Sequence, residues 1–165
     1  MSDVVRDNQL DARTNLDNVE LVKMSQTKFL PLVKGKKYGS YGFDSCIGVL
    51  IYGKEGALIG HYSCSAESIA DTGFVGGADV NPTAATHAIP ATLQGQNLGG
   101  NVKTYIFAQE GTAQARITEL TTIITGQGLP TPKVKTYKPK TGSQGAGFIV
   151  DVGKYLGTSV DWQFS

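Results

Sequence analysis

"CIGVLIYGKEGALIGHYSC", residues 46–64, decides how this chain is read. Two apolar runs flank Gly53-Lys54-Glu55-Gly56, and paired glycines around two polar residues are the signature of a tight hairpin. With Lys54-Glu55 as the turn, Gly53 faces Gly56, Gly48 faces His61 and Cys46 faces Ser63. Residues two apart on a strand share a face, so Cys46 and His61 point the same way as diagonal neighbours. Their Cα atoms then lie roughly 7–8 Å apart. Gly48, opposite the imidazole, has no side chain to block the approach. The same register turns Cys64 to the other face, where the geometry of a disulfide with Cys46 is not met. A slip of one residue would reverse each of these statements.

Outward from the hairpin, more elements follow. "KFLPLVK" (28–34) reads as an edge strand, because Pro31 cannot donate to a ladder. "KKYGSYGFDS" (36–45) reads as a loop. Asn81 and Pro82 suit a helix start, and Pro90 limits that helix to a short or broken one. Residues 101–109 alternate as a strand. Residues 112–130 form the best helical pattern, with Ala115, Leu120, Ile123 and Ile124 as its stripe and Gly126, Gly128 and Pro130 as its stop. Residues 133–141, 146–153 and 157–165 read as closing strands, with a turn at Gly142 to Gly147. Residues 1–26 are polar and read as an N-terminal arm with a short helix around Leu16 to Met24. Residues 27–165 read as a single domain. The expected fold class is α/β: a mixed, strand-rich layered sheet or sandwich with helices packed on a face.

The totals narrow the function. The chain has 165 residues, 40% hydrophobic and 18% charged, with 21 glycines and a formal net charge of +1. That balance asks for neither nucleic acid nor an anionic membrane as partner. No apolar stretch is long enough for a membrane span, and the N-terminus lacks the pattern of a Sec-type signal peptide. A cytoplasmic location is the default expectation, and a secreted effector or toxin fits the same text. Two cysteines are too few for a disulfide scaffold, and two histidines without ligand spacing give no metal site. No cofactor is expected. "GFVGGAD" (73–79) lacks the lysine of a phosphate loop.

A thiol beside an imidazole is a nucleophile with its base. Such pairs carry a third group on the far ring nitrogen. Spacing alone leaves two other readings open for Cys46: a small buried core residue and a disulfide partner. Cys64 reads as a core thiol, and His87 as a surface residue of a short helix.

"YGSYGFDSCIGVLIYGKEGALIGHYS" resembles the core of the chemoreceptor glutamine deamidases (the CheD type), and the Cys-His interval is similar to that of the cytotoxic necrotizing factor catalytic domains. Later pieces resemble the same family in the same order: "NVKTYIFAQEG", "ARITELTTIITGQGLP" and "VKTYKPKTGSQGAGFIVDVGKYLGTSV". Together they cover about residues 28 to 160. The resemblance implies a protein-glutamine deamidase with Cys46 as nucleophile, His61 as base and Ser40 where the family has a threonine. It implies Tyr41, Phe43, Asp44 and Ser45 as substrate-binding residues along the approach, and a protein with an accessible glutamine as substrate. The chain departs from the family at Asp44, where the family has glycine, at Ser40, and from Cys64 to Gly100. Two further functions compete: an inactive protein-binding module on the same fold, and another thiol acyl-transfer enzyme, either a transglutaminase or a peptidase.

Overall fold

The computed structural model describes residues 4–6, 18–62, 85–138, 146–153 and 157–163. Cys64, Asn81, Pro82 and residues 142–145 of the turn expected at Gly142 to Gly147 lie outside them, whereas Gly147 is part of a strand.

The hairpin forms in the expected register. β5 (Ile47–Tyr52) and β6 (Gly56–Tyr62) pair antiparallel with Gly48 opposite His61, and the Gly53 amide donates to the Gly56 carbonyl at 3.0 Å. Every residue of both strands is buried. Their near-continuous apolar runs are therefore those of central strands covered on both faces. β3 (Gln26–Pro31) flanks β6 at the sheet edge, where Pro31 is tolerated. On the other side, β7 (Lys103–Gln109) pairs antiparallel with β5, and β8 (Lys133–Tyr137) pairs parallel with β7. The resulting sheet has the order β3-β6-β5-β7-β8.

A second five-stranded sheet has the order β1-β10-β9-β4-β2. Its members are β1 (Val4–Arg6), β2 (Val19–Leu21), β4 (Lys37–Phe43), β9 (Ala146–Val152) and β10 (Thr158–Gln163). Two expectations are corrected here. The helix expected around Leu16 to Met24 is instead β2, a three-residue strand paired parallel with β4, with Val19 and Val22 buried. The loop expected at 36–45 is instead β4, held between β9 and β2 with a register shift between Tyr41 and Phe43. Its glycines are strand glycines: a Cβ on Gly39 would run into the Phe148 carbonyl of β9.

The two sheets pack face to face. Leu50, Tyr52, Ile59, Tyr105 and Phe107 of the first meet Tyr38, Phe148, Val150, Val160 and Trp162 of the second. Aromatic rings cross this layer, with Phe107 edge-on to Phe148 and tilted against Trp162. The other face of the hairpin sheet is covered by α1 (Ala85–Leu93) and α2 (Gln114–Thr125). α1 runs through Pro90. The buried stripe of α2 is Ile117, Leu120 and Ile124; Ala115, expected in it, is exposed. The fold is thus mixed α/β and strand-rich, a two-sheet sandwich with helices on one outer face. No helix among the described residues is long and apolar enough to cross a membrane.

Candidate active site

Alternation along the hairpin decides which residues can meet. Ile47, Val49 and Ile51 of β5 face the helices, while Leu50 and Tyr52 face the second sheet. Cys46 belongs to the inter-sheet layer as well, and β6 turns His61 to that side with Ala57 and Ile59. The thiol and the imidazole therefore share the face between the sheets. The Cys46 backbone is pinned by Tyr137, whose hydroxyl donates to the Cys46 carbonyl at 2.6 Å.

Ser40, on β4 of the opposite sheet, reaches across to the imidazole. Its Oγ lies 2.8 Å from His61 Nδ1 and 2.6 Å from the Val22 carbonyl oxygen. A hydroxyl has one proton, and a carbonyl only accepts. The Ser40 proton therefore goes to Val22, and Oγ accepts from Nδ1–H. This assigns the tautomer: Nε2 is left with its lone pair, the form a general base needs. Nε2 is buried and has no hydrogen-bond partner among the described residues. Ser40→Ala removes the acceptor and leaves Nδ1–H buried and unsatisfied. We expect it to destabilise the fold by about 1–3 kcal/mol, read by urea titration, and to let the ring populate the other tautomer, read by ring-nitrogen NMR shifts.

Phe43 stacks on the imidazole, with centroids 3.8 Å apart and planes 6° from parallel. Its ring also fills the space above Gly48, where an added Cβ would lie 2.8 Å from it. So Gly48 leaves room for Phe43, and Phe43 holds the flat face of His61. Phe43 was expected along the approach, but it is fully buried and supports the ring from within the core. Tyr41 is half-buried, and Asp44 and Ser45 are exposed beside Cys46. Ser45 has φ +62°, a conformation rare outside glycine, and its amide donates to Gln109 Oε1 at 2.9 Å. His87 is exposed on α1.

The electrostatics keep both groups neutral at rest. Burial lowers the His61 pKa to about 4. Burial pushes the Cys46 thiol up; a backbone hydrogen bond at Asp44 opposes this, and the Asp44 charge adds to it. Asp44 thus acts in the direction expected from its proximity to the thiol. A resting thiolate–imidazolium pair is therefore disfavoured.

Substrate-binding residues along an approach imply a thiol that is open to solvent. Instead Cys46 is 5% exposed and His61 2%. The Met24 sulfur covers the thiol at an Sγ–Sδ separation of 3.8 Å. Met24, Val22, Gln109 and Tyr137 were missed from sequence. Met24 and Val22 fall in the polar N-terminal stretch, which carries no periodic signal, and the other two lie on β7 and β8, brought in only by strand pairing. No family model matches the chain, and no curated protein matches it.

Proposed function

We propose that the chain is a thiol-dependent hydrolase that deamidates glutamine side chains in a target protein, with Cys46 as nucleophile, His61 as base and Ser40 as the group that orients the base. The observation that carries this reading is the Val22–Ser40–His61 relay, which leaves Nε2 unprotonated on the face that also holds Cys46. The family resemblance of residues 38–63 supplies the reaction class.

The sequence of steps follows from the neutral pair. Cys46 Sγ attacks the carboxamide carbon while its proton passes to His61 Nε2. The imidazolium returns that proton to the departing nitrogen, ammonia leaves, and a thioester remains. Water, deprotonated by Nε2, attacks the thioester; the thiol is restored and glutamate is the product. Throughout, Nδ1–H stays on the Ser40 oxygen. A neutral hydroxyl orients the ring without offsetting its positive charge, in keeping with an imidazole whose pKa lies low.

The test is release of ammonia from glutamine-bearing proteins, with a matching gain in substrate mass equal to replacement of NH by O. Cys46→Ser is expected to abolish both while leaving the unfolding curve close to wild type. Ammonia release retained in Cys46→Ser would exclude the mechanism. An amine-dependent product or a shortened substrate would instead identify a transglutaminase or a peptidase.

One observation favours a second reading, the inactive binding module: both reacting groups are nearly inaccessible to solvent. On that reading Cys46 alkylates no faster than a core thiol, and His61→Ala leaves its rate unchanged.

A further inference from the structure

The segment Val22 to Gln26 joins β2 to β3 and touches Ser40, His61 and Cys46. Val22 accepts from the Ser40 hydroxyl, and its amide donates to Gly39 at 2.8 Å. Ser25, at φ +67°, donates its amide to the His61 carbonyl at 2.7 Å. The turn closes on itself: the Gln26 amide donates to the Lys23 carbonyl, and the Lys23 amide donates to Gln26 Oε1. Between these anchors stands Met24. The residue is 51% exposed, yet its sulfur rests on the Cys46 thiol.

We propose that Met24 occupies the seat of the substrate glutamine and gates the thiol; this rests on the deamidase reading above. Methionine and glutamine are both unbranched through Cβ and Cγ. The third atom of the side chain is Sδ in one and the carboxamide carbon in the other. Met24 Sδ therefore stands at the nucleophile where the carbon to be attacked would stand. The buried Nε2 of His61, without a partner among the described residues, is the base left waiting in the same inter-sheet layer. Met24 is half-exposed, so the seat it fills borders solvent. Methionine has flexible, unbranched torsions, so it can swing out without disturbing the anchors at Val22 and Ser25. The substrate class that fits is a protein segment presenting one extended glutamine at an exposed site.

The gate is tested by iodoacetamide labelling of the whole chain with peptide mapping. Lys54 separates Cys46 and Cys64 into different tryptic peptides. Met24→Ala is expected to label at Cys46 several-fold faster than wild type, and Met24→Leu, which refills the seat, to label close to wild type. Equal rates for Met24→Ala and wild type would overturn the gate. So would an acceleration that grows with sub-denaturing urea as global unfolding does, because a gate opens without exposing new surface. The chemistry is tested separately with Met24→Gln. The introduced amide is expected to convert to a carboxylate in the purified protein, and not in Met24→Gln/Cys46→Ser. Fast labelling of Met24→Ala with no conversion in Met24→Gln would retain the gate and overturn the glutamine seat.

Discussion

Phe43→Ala is expected to destabilise the fold by about 3–5 kcal/mol and to bring the His61 pKa up from about 4 toward that of a solvated imidazole. The first effect comes from packing. Phe43 is fully buried and touches rings from both sheets: Phe107 edge-on, Tyr137 tilted and Phe148 stacked. Its removal leaves a cavity at the centre of the inter-sheet layer, bordered by Gly48, which has no side chain to fill it. The second effect comes from solvation. Burial alone lowers the His61 pKa, and the parallel ring of Phe43 excludes water from one face of the imidazole. Urea titration reads the stability, and an NMR pH titration of the His61 ring reads the pKa. Phe43→Leu keeps much of the volume but loses the flat contact, so it is expected to lose less stability. A His61 pKa unchanged in Phe43→Ala would mean that the other neighbours suffice to keep the ring dry.

Acid is expected to remove about 3 kcal/mol of stability through His61 alone. The folded state holds this ring neutral down to about pH 4, whereas the unfolded chain takes up a proton near the ordinary histidine value. Between those two values the unfolded state binds more protons than the folded one, so stability rises with pH across the window. The contribution is complete above the unfolded pKa, falls as the pH drops, and levels out below about pH 4. Carboxylates titrate in the same range, so the quantity to measure is the difference between wild type and His61→Gln in unfolding free energy at a series of pH values. That difference should slope through the window and flatten on both sides. A flat difference throughout would mean that the ring takes up its proton at the same pH folded as unfolded. The two predictions are linked: in Phe43→Ala the raised pKa narrows the window, so the acid-dependent loss should shrink.

The hairpin was legible because two kinds of signal coincided there. Glycines bracketed a two-residue turn, and the flanking runs were apolar without a break, as in strands buried on both faces. From that register the shared face of Cys46 and His61 followed. Ser40 was picked out through the resemblance, but the two things that make it useful were not visible. It sits on β4, which reads as a loop because Gly39 and Gly42 are usually turn residues. Here Gly39 permits close approach of β9, and Gly42, at φ +78°, takes the irregularity between Tyr41 and Phe43. The partner of its proton, Val22, lies beyond a three-residue strand too short to show a period. Met24 was hidden for the same reason. The stripe of α2 was misplaced at its first turn, where Ile117 packs inward and Ala115 faces solvent.

The Ser40–His61 hydrogen bond joins two different sheets, since β4 and β6 never pair with one another. The protonation pattern of the imidazole is therefore a reporter of docking between layers, not of strand formation. In a molten state that kept its ladders but let the layers slide, far-UV ellipticity would persist while the clamp on Nδ1 was gone. Whatever chemistry the thiol performs belongs to the closed sandwich alone.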